Sequence, residues 1–291
     1  MNKIRITCYL IGLMLISISK TYAASRIYWP SFDLPPLFIY DDSGKRYGLG
    51  EDLNKHFQQL LPKDEHLNTI SSPKKITQDA KQGKNIVITG ILKSKKRQDY
   101  LYYSKYPCRI SWSMVAVIRA EDKTKLTTDG KFSLYKNLNK RKHKFSYIDG
   151  IYYDKLTKII DQIKYDKKLT ATSTASIDTS HQINLLANKR IDFFFADPLV
   201  VFKLKNQNNN LYPIELVECL ELPLTPIYGY YATPKTSWGH DMIEKVDEIM
   251  YQTICSGELE NIIGSWIPDN LKNRFKRSYR DEIEDKVKCD K

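Results

Sequence analysis

The sequence predicts an exported α/β protein built as two lobes, and three observations carry that reading. The chain opens with a basic segment, then an apolar one, then small residues. Two stretches far apart, Ile76–Arg97 and Ile183–Lys203, share one order: the end of a helix, a short apolar strand, and a polar or charged turn. The length of 291 residues suits about two domains of roughly 150 residues each.

The elements follow in chain order. Lys3 and Arg5 precede an apolar run from Ile6 to Ile18, which ends at Lys20-Thr21-Tyr22-Ala23. That is the order of a secretory signal peptide, so residues 1–23 are expected to be removed after Ala23. The run is too short to span a bilayer comfortably. Ser25–Trp29 reads as a strand, Pro35-Pro36 as a break, Leu37–Tyr40 as extended, and Asp41–Gly44 as a turn. After Gly48 and Gly50, Leu53, Phe57, Leu60 and Leu61 share one helical face, and Pro62 ends that helix. A helix is expected to end near Gly83 and a buried strand to cover Asn85–Thr89. Ile110–Val117 reads as one strand and Phe145–Ile148 as another, closed by Asp149-Gly150. A helix with Leu156, Ile159, Ile160 and Ile163 on one face comes next. A helix ending near Lys189 then leads to a strand over Asp192–Ala196. Ile227–Ala232 is a Tyr-rich strand. Two helices close the fold, one with Met242, Val246, Ile249 and Met250, the other with Leu259, Ile262, Ile263 and Trp266. The charged segment from Asn270 to Lys291 reads as a partly frayed tail.

Composition excludes several classes. With 42% hydrophobic residues and only 12 Gly and 12 Pro, the chain is neither collagen-like nor fully disordered. A mean hydropathy of −0.48 excludes a polytopic membrane protein. The formal charge is +12, and the mature chain stays strongly basic after Lys3, Arg5 and Lys20 leave. Export argues against a nucleic-acid partner, and the basic run Lys136–Lys144 reads as a solvated loop. Export also permits disulfides. Cys108, Cys219, Cys255 and Cys289 remain after the signal, and one bridge is expected, with three full pairings open.

No catalytic constellation is visible. There is no H-E-x-x-H, G-x-S-x-G or P-loop, and the five His are scattered. Ser71-Ser72-Pro73-Lys74 fits a bare S-x-x-K without a K-T-G. No metal or cofactor is expected. In open α/β sheets, ligands sit beyond the C-terminal ends of strands. Gly90, Arg97 and Asp197 are placed there, although Arg97 and Asp197 also read as ordinary loop charges.

From about Arg26 to Trp266 the chain resembles the type II periplasmic solute-binding proteins, in particular the polar-amino-acid-binding group of ABC importers (extracellular solute-binding family 3). The residues are Pro35-Pro36-Leu37-Phe38, Gly48 with Glu51-Asp52-Leu53, and above all Thr89–Arg97 leading into Tyr102–Pro107. Ile148–Gly150, Arg190–Asp192 with Ala196-Asp197, and Gly257 with Ile263 and Trp266 continue the match. The resemblance implies a periplasmic-binding-protein-like II fold: two lobes, each a mixed sheet flanked by helices, joined by two crossing strands. Lobe one would hold 24–110 and 228–291, and lobe two 111–227. It implies a periplasmic, monomeric, non-enzymatic protein that closes on a small ligand and serves an inner-membrane ABC permease. Arg97 matches the arginine that grips a ligand carboxylate, and Asp197 the acid that holds an ammonium. Thr89 and Gly90 match a shelf beside the carboxylate, and Phe32 or Trp29 an aromatic wall. Ile151, Tyr152 and Tyr153 stand where small polar residues are usual, so Tyr152 would reshape the pocket. Leu34 replaces the usual aromatic and Leu92 a small polar residue. Periplasmic cyclohexadienyl dehydratases resemble the same family, so an enzyme on this scaffold is the alternative, with a sensor or partner-binding module third.

Overall fold

The computed structural model describes residues 26–41, 43–139, 143–148, 158, 161, 171–174, 179–207 and 212–289. The signal segment, Tyr152, Asp149-Gly150 and the helix expected after them lie outside the described residues, apart from Lys158 and Asp161, which are helical.

Two sheets organise the molecule. The first side begins with β1 (Arg26–Ser31), which pairs in parallel with β4 (Glu65–Ile70). β2 (Ile39–Tyr40) and β3 (Arg46–Tyr47) form a short hairpin between them. β5 (Ile88–Leu92), β6 (Leu101–Tyr103) and β7 (Arg109–Trp112) all pair antiparallel with the long β15 (Pro226–Pro234). The second sheet has five strands. β11 (Phe145–Ile148) lies parallel to β12 (Ala171–Thr174) and β13 (Phe193–Ala196), while β8 (Val115–Arg119) runs antiparallel to β13 and to β14 (Ile214–Val217). β9 (Thr127–Thr128) and β10 (Lys131–Phe132) form a small hairpin beside it.

The apolar run at β13 has its reason in this sheet. Phe193 and Phe195 pack into one core cluster with Ala116 and Ile118, while Phe194 and Ala196 pack into another with Val117. Alternate side chains point to opposite faces of a strand, so a strand covered on both faces must be apolar throughout.

The first side has the larger core. The helix Leu49–Leu60 buries Leu53 and Phe57, and Phe57 lies 4.4 Å from Tyr231 between ring centroids. The helix Ser237–Cys255 adds Met242, Val246 and Met250. Its N-cap Thr236 accepts the Gly239 N–H, which satisfies one of the donors a helix start leaves unpaired. Ser72 does the same for the helix Pro73–Lys81 by accepting the Lys75 N–H at 3.2 Å, so Ser71–Lys74 is a helix start.

Three expectations need correction. The strand expected over Ile110–Val117 is two strands, β7 and β8, broken at Ser113-Met114. The strand expected over Asn85–Thr89 runs on as β5 to Leu92, through Gly90 at φ +71°. A Cβ on Gly229 of β15 would lie 2.5 Å from the Gly90 carbonyl oxygen, so a glycine there lets the two strands approach. The tail is not frayed: it forms the helix Lys272–Glu282, with Phe275, Tyr279 and Ile283 buried in the first core. The charges at intervening positions hide that stripe in composition. The one expected bridge is Cys255–Cys289, with Cys108 and Cys219 reduced and buried. Burial pushes both thiols up to about 12, so they stay protonated and unreactive at neutral pH.

Candidate functional site

The chain crosses between the sheets twice, from β7 to β8 and from β14 to β15. Ser113 and Thr225, one on each crossing, are stitched together. The Ser113 N–H donates to the Thr225 carbonyl at 2.9 Å, and their hydroxyls meet at 2.8 Å. A cavity of about 600 Å³ opens beside this stitch. Its lining comes from both sides: Phe32, Leu37, Phe38 and Thr89–Lys93 from the first, Gln182, Phe195, Asp197 and Val200 from the second, and Arg109, Trp112, Tyr228 and Tyr230 from the crossing strands.

Arg97 and Asp197 line this one cavity. Arg97 sits on the short helix Lys95–Gln98, whose N-cap Ser94 accepts its backbone N–H. Its Nη1 donates to the Leu92 carbonyl at 3.0 Å, and among the described residues no ion pair engages the guanidinium. Asp197 stands just past β13 and opens the helix Pro198–Gln207. Its Oδ1 accepts the Leu199 N–H at 2.9 Å; its Oδ2 accepts from Arg109 Nη2 at 3.0 Å and from Ser111 Oγ at 2.5 Å. The role expected for Asp197, holding a ligand ammonium, therefore meets a competitor already in place. A carboxylate offers about four acceptor positions, and three are filled.

Gly90 and Phe32 line the cavity. Thr89 does too, but its hydroxyl donates to Asn54 Oδ1 at 2.6 Å in the interior, so its proton is not available to a ligand. Trp29 is not a wall of the cavity. It is fully buried in the first core, with Nε1 donating to His66 Nδ1 at 3.1 Å, because alternation along β1 turns it inward. Tyr152 lies outside the described residues.

Three site residues were not read from the sequence. Arg109 and Ser111 sit two apart on β7 and so share a face, which is how both reach Asp197. The signal available was an arginine and a serine two apart in a strand that also holds Ile110 and Trp112. Lys93 lies with its ammonium 3.6 Å from the Tyr230 ring centroid and 3.4 Å from the Ser104 carbonyl. Burial pushes its pKa down, with the Asp247 charge opposing. Burial also raises Tyr103 and Tyr228 to about 12, so both phenols stay neutral donors. The exposed trio His240, Asp241 and Glu244 does not line the cavity.

This is the fold of the type II periplasmic binding proteins, with the cavity at the crossing. No family model matches the sequence, and no curated protein matches it. Solved structures do match in shape. An ancestral arginine-binding protein bound to arginine is 19% identical with a TM-score of 0.64, over 84% of this chain and 99% of that one. A structure concerned with glutathione import via GshT and the cystine ABC importer TcyBC of Streptococcus mutans is 16% identical, TM-score 0.66, over 86% and 98%. The ancestral amino-acid-binding protein AncCDT-1, a precursor of cyclohexadienyl dehydratase, is 15% identical, TM-score 0.64, over 84% and 96%. Among the described residues no helix is long and apolar enough to cross a membrane.

Proposed function

We propose that this protein is an exported, monomeric solute-binding protein that captures a small carboxylate-bearing ligand and presents it to an ABC permease. The observation that carries the reading is Arg97 on the wall of a cavity lined from both sheets, in a fold shared with amino-acid-binding proteins. Residues 24–110 with 228–291 form lobe one, 111–227 form lobe two, and the Ser113–Thr225 stitch is the hinge. Ligand contacts on both lobes at once favour the closed form, a population shift driven by differential affinity. An acid–base enzyme on the same scaffold would need an unengaged carboxylate or imidazole over the substrate. Among the described residues no His lines the cavity, and Asp197 is engaged by Arg109.

Mass spectrometry of small molecules released from purified protein should find a carboxylic acid, and scattering should show a smaller radius of gyration when it is added back. An unchanged radius at saturation counts against closure. Arg97→Lys should weaken binding of that ligand about tenfold or more, because a planar bidentate fork is lost while the charge is kept. A dissociation constant within twofold of the parent removes Arg97 from the site.

A further inference from the structure

The cavity's charges are not arranged for a zwitterion. Among the described residues, four ionised side chains line it: Lys93, Arg97, Arg109 and Asp197. Arg109 and Asp197 form a partly buried pair, their side chains 12% and 14% exposed. Asp197 has one acceptor position left, and moving its carboxylate off Arg109 to grip an ammonium more fully would leave that guanidinium without its counter-charge in a poorly solvated place, which is strongly unfavourable. Neither Lys93 nor Arg97 is in a described salt bridge, and although the Asp247 charge acts on Lys93, the described lining carries three positive side chains to one negative. Much of the remaining wall is apolar or aromatic, with Phe32, Phe38, Trp112, Phe195, Tyr228 and Tyr230 prominent, and its other polar side chains, such as Gln182 and Ser111, are neutral. A volume of about 600 Å³ holds an aromatic-sized molecule comfortably.

We infer that the cleft selects organic acids with an apolar, aromatic-sized body and no ammonium group, over zwitterionic amino acids. The inference rests on the solute-binding reading of the same cleft. In such a complex the ligand's carboxylate meets Arg97, its body lies along the aromatic wall, and Lys93 offers the second positive charge. Among the described lining residues an α-ammonium would meet three cations and one carboxylate already engaged.

Calorimetric titration of the whole purified protein tests this with matched probes. L-phenylalanine and phenylpyruvate share a body and a carboxylate and differ at the α-carbon; phenylsuccinate adds a second carboxylate. Phenylpyruvate and phenylsuccinate should each bind at least tenfold tighter than L-phenylalanine. Asp197→Asn should strengthen phenylpyruvate binding, because it frees Arg109 while an Asn side chain can still accept the Leu199 N–H. Binding of L-phenylalanine or L-arginine as tight as that of phenylpyruvate would overturn the ligand class and leave the solute-binding function standing. Failure of all four probes would also overturn it. A released amino acid in the mass spectrum would then retain the binding function, and no released or bound small molecule would remove both.

Discussion

Arg119→Ala should destabilise the protein by about 3–5 kcal/mol, read by urea unfolding, because it breaks a buried charge network and leaves its partners stranded. Arg119 closes β8 with its side chain 4% exposed. Its Nη1 donates to the Leu186 carbonyl at 3.1 Å and the Ile191 carbonyl at 2.6 Å, its Nη2 to Asp192 Oδ1 at 2.7 Å, and its Nε to Asp122. One guanidinium therefore ties the end of the helix Thr179–Ala187 and the entry to β13 onto β8. Alanine takes the guanidinium from two carbonyls and from two partly buried carboxylates, Asp122 and Asp192, although Asp192 keeps the Lys144 N–H and Leu186 the Lys189 N–H. Arg119→Lys should fall between, since an ammonium cannot reproduce the planar fork. Lys123→Ala is the comparison: its bond to Glu215 at 3.2 Å lies between side chains 51% and 39% exposed, so about 1 kcal/mol or less is expected. Equal losses for Arg119→Ala and Lys123→Ala would refute the network.

The same network sets an acid limit. Burial raises Asp192, but the Lys144 N–H and the Arg119 guanidinium outweigh it and hold the carboxyl below its usual range. Glu221 is likewise held low against burial, by the Leu134 N–H, the Ser133 hydroxyl and the Tyr135 N–H. A carboxylate whose folded pKa is depressed stabilises fully above its unfolded value. That contribution is lost as pH falls through the folded one, hence below about pH 4. Arg119→Ala should flatten this acid-side loss; an unchanged slope would point to other carboxylates.

Removing the disulfide should have a comparable effect. Cys255 ends the helix Ser237–Cys255 and Cys289 lies beyond the tail helix, a separation of 34 residues. Closing a loop of that length stabilises by about 3–4 kcal/mol on the chain-entropy account. The double variant Cys255→Ser, Cys289→Ser should melt several degrees lower and expose the 265–289 segment to protease. The five-stranded sheet holds no part of the bridge, so hydrogen exchange in β8 and β13 should change less than in the tail. A midpoint unmoved by the double variant would show that Phe275, Tyr279 and Ile283 hold the tail unaided.

Local signals were legible wherever periodicity reports burial. The helix Leu49–Leu60, the helix Ser237–Cys255 and the strand Phe193–Ala196 each follow from their own residues, because their apolar spacing matches 3.6 or a doubly covered strand. Arg97 and Asp197 were legible as residues placed after a strand. The partner of Asp197 was not, since Arg109 is 88 positions away and meets it only through β7 lying beside the second sheet. Trp29 was misread for the same reason: which face of β1 looks inward depends on β4 and the Leu49–Leu60 helix, which no local pattern announces.

By itself, then, the sequence determined the α/β class, the two repeated helix–strand–turn units and the apolar faces that must be buried, since these depend on side-chain period alone. It did not determine where Ile110–Val117 breaks. That break comes from Ser113 bonding to Thr225, a residue on the other crossing strand. Nor did it determine which cysteines bond, whether the charged tail packs, or what charge the cavity offers a ligand. Each of those depends on groups distant in the chain meeting in space, and only tertiary packing sets those distances.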